Sequence, residues 1–551
     1  MVIGEIDYSA IQLQRENHKT FTSLLICLKK GFEMIIKFLI WLSLVAVIWL
    51  QSVNGTSANF PAYSSQLKHL LSMSQIQLNN LAFASDAAKL LGWLSGIAVF
   101  YLPLWLVLLV GSMLGFVGYG VQYLFITNHI SSLSYAHIFC LTMLAGSSIC
   151  WINTVCYVVT IRNFPSYCHV ANGLTTSFQG LSARIYTDIV DVAFTSSSTE
   201  SAQGYLLLNS ILPVIVSVLC SSLVGDVDID AEEITSMKGG FIIMFVITVI
   251  TGIYAILSSL ESVSSKFSSH VAILVCLFVL LVIPLTEKLR LEWEKKVKVV
   301  DNNNAKVAQK SGFEEKEARE VGVVMEEIGV KSMVQRLNFW LYFLVYLLGA
   351  TIGLVFLNNL GQIAESRNYQ GTSNLVSLSS SFGFFGRLMP SLLDFWFSRY
   401  KISRPACIVT SMASMVIAFF LLLSKTSLAL YISTAVIGLS TGAITTLSVS
   451  TTTELFGTER FSINHNIVIA NIPIGSLLFG YSAAVIYHKH ANGAGKCLGM
   501  DCYAHTFIIW GCLCFLGTLL ALALHFRTRE FYSNKKPPTC SMRRSFRVSC
   551  L

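Results

Sequence analysis

The chain has 551 residues, 54% hydrophobic and only 12% charged, with a mean hydropathy of +0.64. A water-soluble domain carries about twice that share of charge, so a soluble enzyme or soluble binding module is excluded. The formal net charge of +8 is no nucleic-acid signal, because its basic residues sit mostly between apolar runs, where anionic lipid headgroups are their natural counterpart.

Runs of about 20 apolar residues, long enough to cross ~30 Å of hydrocarbon, recur along the chain. In order they predict about fourteen spans: 37–57, 81–101, 104–126, 136–160, 170–194, 204–224, 239–260, 268–287, 338–360, 374–394, 405–424, 428–453, 465–487 and 505–526. The first run follows Lys29, Lys30 and Lys37 and ends without a small-residue cleavage site. It therefore reads as a retained first helix rather than a signal peptide. Residues 288–337 break the apolar pattern with a charged stretch poor in aromatics, read as a partly disordered linker. The expected organisation is a tail over 1–36, a six-helix unit over 37–224, two additional helices over 225–287, the linker, a second six-helix unit over 338–526, and a basic tail over 527–551.

Orientation follows from Lys and Arg placement. With the N-terminus in the cytosol, 29 of the 38 Lys and Arg fall on the cytosolic side and six on the other. Both termini and the linker are thus expected in the cytosol. Most of the 14 Cys lie within apolar runs and read as small apolar side chains. Cys497 and Cys502 share a loop on the expected oxidising side, where a disulfide and two free thiols are both open readings.

Ionisable groups inside apolar spans are functional hypotheses by default, because their cost in hydrocarbon must be offset somewhere. In the second span Asp86 and Lys89 are three apart, on one helical face. They form either a self-neutralising pair or a gating, proton-responsive one. Arg184 and Asp188 repeat the theme in the fifth span, with Asp191 near its outer end. Arg387 in the tenth span has no acidic neighbour within a turn of its own helix. It must pair across helices, bind backbone carbonyls or meet an anionic ligand.

Other motifs are weak. The loop holding His488, His490, Cys497, Cys502 and His505 matches no zinc spacing. "GAGK" at 493–496 lacks the rest of a phosphate-binding loop. The Asn54-Gly-Thr56 sequon lies at a membrane edge, where glycosylation is not expected. No nucleophile–base–acid set is recognisable, so neither an enzyme nor a cofactor is expected.

Several stretches resemble one family closely. They are "WLQSVNG" (49–55), the "LPLWLVLLVGSMLGFVGYG" run (102–120), "RNFP" (162–165) and, most specifically, "GLVFLNNLGQI" (353–363) followed by "FGR" within segment 338–394. Together they resemble the plant nodulin-like, nuclear-fusion-defective-type branch of the major facilitator superfamily. The resemblance implies an all-α polytopic membrane protein of six plus two plus six helices, working as a secondary transporter. A short internal match, Gly92-Trp93-Leu94 against Gly386-Arg387-Leu388, is consistent with two related halves. Departures are visible too. The superfamily's charged signature between spans two and three is absent, since that turn is only "FYLP". A partial counterpart, "SLLDFWFSRYKISRP" with Asp394, Arg399, Lys401 and Arg404, follows the tenth span.

In this architecture the first and fourth helices of each half usually line a central cavity. The lone charge of Arg387 adds a candidate anion contact, and the resemblance points to substrate contacts at Gln51, Asn54, Asn153, Asn358 and Gln362, with interhelical hydrogen bonding as the alternative for the set. It leaves Asn359, on the adjacent face, to an interhelical bond, and adds Thr445, Thr446, Ser448 and Glu454 in the twelfth span. Amides both donate and accept, which suits a polar solute that is held and then released. Asp86, Lys89, Arg184, Asp188, Asp394 and Arg399 are the candidate coupling or gating groups. The expected function is secondary transport of a small polar or anionic solute by alternating access, with proton coupling. A non-transporting sensor or scaffold on the same fold is the alternative. The expected partners are that solute and the bilayer, with no nucleic acid and no metal. Plasma membrane and endomembrane are both open.

Overall fold

The computed structural model describes residues 36–61, 71–194, 198–226, 237–259, 327–369, 372–397, 403–491 and 497–534, together with 63, 64, 68, 275, 277–280 and 284. Regular structure among them is helical throughout. In chain order the long helices are α1 (Ile36–Asn59), α2 (Ile76–Tyr101), α3 (Leu104–Ile126), α4 (Tyr135–Asn163), α5 (Cys168–Ala193), α6 (Ser198–Cys220) and α7 (Lys238–Ser259). After the linker come α8 (Leu337–Ser366), α9 (Thr372–Trp396), α10 (Arg404–Leu421), α11 (Ser427–Phe456), α12 (Phe461–Lys489) and α13 (Ala504–Asn534).

Among the described residues, 11 helices are long and apolar enough to cross a membrane, so the expected count of fourteen is not reached there. Two further helices, α5 and α9, are as long but richer in polar groups, and both are largely buried. The eighth expected span, 268–287, lies mostly outside the described residues, as does most of the linker.

The first half is built from α3 packed on α4 and α6, with α2 on α4; the second from α10 packed on α11 and α13, with α8 on α13. Two seams join them, α5 against α9 and α2 against α12. Small residues make these seams close. A Cβ on Gly180 of α5 would stand 2.8 Å from the Phe384 backbone nitrogen of α9, and one on Gly96 of α2 would stand 2.7 Å from the Ser462 carbonyl of α12. Without water to squeeze out, tight backbone approach of this kind is what holds helices together in lipid. Helix α7 packs beside α9 and reaches the first half through Phe241, whose ring meets Trp41 of α1 edge-on at 5.1 Å.

Besides the turn at Ala470 that divides α12, three helices are irregular within their length. Regular α-helix in α1 stops at Asn54-Gly55, before a 3-10 turn over Thr56–Asn59. Ala88–Leu91 of α2 is a 3-10 turn, and Leu347–Thr351 of α8 is a π turn. Such distortions survive in hydrocarbon only where protein or a polar cavity satisfies the freed groups. Ser57, Lys89 and Tyr346, at or beside these three sites, all line the central cavity.

At the end of the bundle carrying the basic loops, the last linker residues dock on the α11–α12 turn. The Glu327 carboxylate accepts from the backbone N–H groups of Thr458 and Glu459, each at 3.0 Å. Ile328 donates to the Phe456 carbonyl at 3.2 Å, and Asn464 Nδ2 donates to the Ile328 carbonyl at 3.0 Å. Gly457 makes the turn possible with φ +86°, a conformation that side chains rarely adopt. At the opposite end Cys497 and Cys502 are joined in a disulfide.

Candidate solute cavity

Two adjoining compartments of about 100 and 110 Å³ lie between the halves and share Ser57, Lys89, Gln179, Leu354 and Arg387. One water needs ~10–15 Å³ of such space, so the chamber holds several waters or a small solute. Both halves wall it. Asp86, Lys89, Asn153, Tyr157 and Gln179 come from the first, and Tyr346, Asn358, Arg387, Thr445 and His465 from the second.

The 3-10 turn sets Lys89 beside Asp86, with Nζ 2.5 Å from Oδ1. The second carboxylate oxygen of Asp86 lies 3.5 Å from Asn358 Nδ2. This chain of contacts crosses from α2 to α8 and so links the halves at the cavity wall. Arg387 Nη1 donates to Gln179 Oε1 at 2.7 Å and to the Thr176 carbonyl at 3.2 Å. Gln179 Nε2 in turn donates to Asn153 Oδ1 at 3.3 Å, which also accepts from Asn54 Nδ2 at 2.9 Å. A polar ribbon thus runs Arg387–Gln179–Asn153–Asn54. Its last member stands behind the wall, and its donation to the Ile149 carbonyl ties the broken turn of α1 to α4.

Among the described residues the predicted positions divide. Asp86, Lys89, Asn153, Asn358, Arg387 and Thr445 line the cavity. Asn54 is buried in the ribbon, which also leaves the sequon no room for a glycan. Gln51 is fully buried away from the cavity, and its side-chain amide finds no hydrogen-bond partner among the described residues. Gln362 differs from expectation as well: it is buried and off the cavity wall, because four residues beyond Asn358 the helix has passed the chamber. Asn359 is buried, donating to the Val355 carbonyl at 2.9 Å and accepting from Asn79 Nδ2 of α2 at 3.2 Å.

Arg184 and Asp188 pair at 2.8 Å, buried within the first half and away from the cavity. Asp191 is exposed. Asp394 binds Arg404 at 2.5 Å, and Arg404 Nε reaches Glu454 at 3.2 Å. His169 of α5 stands 3.5 Å from the same Glu454 oxygen, so this buried cluster joins the halves at the basic end, off the cavity. Arg399 and Lys401 lie outside the described residues. Thr446 sits in the α5–α11 contact, 3.3 Å from Thr176.

Sequence reasoning missed Tyr157, Gln179, Tyr346 and His465. An aromatic in an apolar helix carries no mark of which face it occupies. The only pointer to Gln179 was indirect: Arg387 lacked an acid on its own helix and therefore needed a partner across a seam.

Two helical bundles meeting at paired seams around a cavity with ionisable walls define the major facilitator class of fold, and solved structures agree. One is a major facilitator superfamily proton:xylose symporter bound to 6-bromo-6-deoxy-D-glucose, at TM-score 0.53 and 11% identity, covering 92% of this chain and 98% of that one. Another comes from work on substrate recognition in proton-dependent oligopeptide transporters, at TM-score 0.52 and 13% identity, covering 90% and 99%. Family profiles described as Nodulin-like and as NFD4, C-terminal domain match residues 40–288 and 320–534. The chain is 40% identical over 547 residues to Protein NUCLEAR FUSION DEFECTIVE 4 of Arabidopsis thaliana, covering 92% of each. It belongs to that nodulin-like family, as the motifs around 353–363 implied, and is an integral, multi-pass membrane protein.

Proposed function

We propose that the chain is a secondary transporter that moves a small polar or anionic solute by alternating access of one cavity between its two halves, coupled to protons. The observation carrying this reading is a single chamber walled by both halves and bearing Asp86, Lys89 and Arg387. A solute held there touches both rocking bodies, which is what alternating access requires. Asp86 is the candidate proton acceptor, since it is the carboxylate on the cavity wall among the described residues. The solved relatives of this fold described as proton-coupled are in keeping with that role.

The test is uptake by purified protein in liposomes, using labelled organic acids, amino acids, sugars and metal chelates. Uptake of at least one solute is expected, stimulated by an imposed inward proton gradient and abolished by a proton ionophore. Uptake indifferent to the gradient would make the protein a uniporter.

One observation favours a second reading. The connection between α2 and α3 is only Leu102-Pro103, too short for the superfamily's charged signature. A non-transporting sensor would bind a solute, seen as a rise in melting temperature, yet show neither uptake nor exchange of it.

A further inference from the structure

We propose that the cavity takes a small organic monocarboxylate with an apolar or aromatic body, its carboxylate seated on Arg387. This rests on the transport reading and narrows it to a substrate class.

Charge comes first. With Asp86 ionised, as before it takes up a proton, Lys89 and Asp86 cancel. Arg387 has no carboxylate within ion-pair distance among the described residues, and the phenols of Tyr157 and Tyr346 stand with it on the wall of the first compartment. His465, stacked on Phe461 with centroids 4.9 Å apart, adds no charge when neutral. The chamber therefore carries one excess positive charge. A cation on the wall of so small a chamber keeps only part of its hydration, and one bound negative charge offsets that loss. A second negative charge would recreate the imbalance with the opposite sign. The preference is for monoanions.

Geometry comes second. Both hydrogen bonds of Arg387 use Nη1, so Nη2 and Nε remain without acceptors among the described residues. Those two donors form a planar edge matched to the two oxygens of a carboxylate.

The body of the ligand follows from the other walls. Around Arg387 the first compartment is faced by Tyr157, Tyr346, Ile149, Leu354 and Ile472. The amides and hydroxyl of Asn153, Gln179, Asn466 and Thr154 also reach this compartment, but they already bond within the protein, so a short apolar chain or a ring fits the remaining wall better than a hydroxyl-rich solute.

The experiment uses the purified full chain in nanodiscs, with binding followed by calorimetry and thermal shift. Its probes are benzoate, its neutral isostere benzamide, acetate, succinate and sulfate. Benzoate is expected to bind saturably, at least tenfold tighter than benzamide and tighter than acetate, with succinate and sulfate failing to displace it. Arg387→Gln should weaken benzoate at least tenfold, and Arg387→Lys should recover part of the loss.

Equal affinity for benzoate and benzamide would overturn the proposal. So would displacement of benzoate by stoichiometric succinate or sulfate. The ligand series on the unsubstituted protein decides the matter even if Arg387→Gln does not fold. Liposome uptake separates the two claims: benzoate binding without flux of any solute sinks the transport reading alone, whereas flux of a sugar with no benzoate binding sinks this inference alone.

Discussion

The Asp86–Lys89 pair offers the sharpest test of how charge is held at the cavity wall. Lys89→Met leaves Asp86 with Asn358 as its remaining polar contact among the described residues, a donor 3.5 Å away. Asp86→Asn strips the ammonium of Lys89 of its counter-charge. With charge centres ~4 Å apart and an effective dielectric of ~20, the gross attraction is ~4 kcal/mol. Breaking one partner of a fully buried pair costs ~3–5 kcal/mol, because the orphaned charge stays behind. Here the side chains are 13% and 6% exposed and border a chamber that admits water. The expected loss for either single change is therefore somewhat smaller, ~2–4 kcal/mol. Asp86→Asn with Lys89→Met removes both charges at similar volume and should return to within ~1 kcal/mol of the parent, a coupling of several kcal/mol. The assay is unfolding of the purified full chain by titration with sodium dodecyl sulfate in mixed micelles, followed by circular dichroism. A double variant that loses the sum of the two single effects would refute the argument. So would a Lys89→Met protein as stable as the parent.

Neighbouring amides should separate by readout. Asn359→Ala should cost ~1–2 kcal/mol in the same unfolding assay, because it takes the acceptor from Asn79, whereas Asn358→Ala should leave stability within ~0.5 kcal/mol and lower solute uptake. The Cys497–Cys502 bridge closes a loop of sequence separation 5. Under denaturing, non-reducing conditions both thiols should resist alkylation, and a Cys497→Ser, Cys502→Ser protein should lose ~2 kcal/mol of stability. Glu327→Ala removes the acceptor for two backbone N–H groups of the α11–α12 turn. Limited proteolysis should then cut near residue 327 several-fold faster, with the helices intact. Both termini and the 288–337 segment should be protease-accessible from the cytosolic face alone; digestion of the C-terminal tail from the other face would overturn the orientation read from the basic residues.

How far the sequence carried depends on what each feature is made of. Helices of about 20 apolar residues are legible because hydrocarbon demands them, and every expected span among the described residues is a helix. The charges and most of the amides were found as easily, because they stand out in such a span, although Gln179 and His465 were passed over. Which way each one faces was only partly legible. Asn358 and Asn359 differ by one residue, ~100° of helical rotation, and that step takes one side chain to the cavity and the other into a seam with α2. Helical periodicity predicted that division, yet the same periodicity put Gln362 with Asn358, and there it misled. A four-residue step keeps the face but moves ~6 Å along the axis, far enough to leave a chamber of about 110 Å³. A face is fixed by sequence spacing, whereas depth is fixed by where the opposing half leaves space. The three helix distortions beside the cavity bear on the same point. Neither the 3-10 turn at Lys89 nor the π turn after Tyr346 has a proline to announce it, and both place a cavity residue. The backbone departs from the regular helix where the two halves do not fill the space between them, so the site is a property of the seam rather than of any one helix.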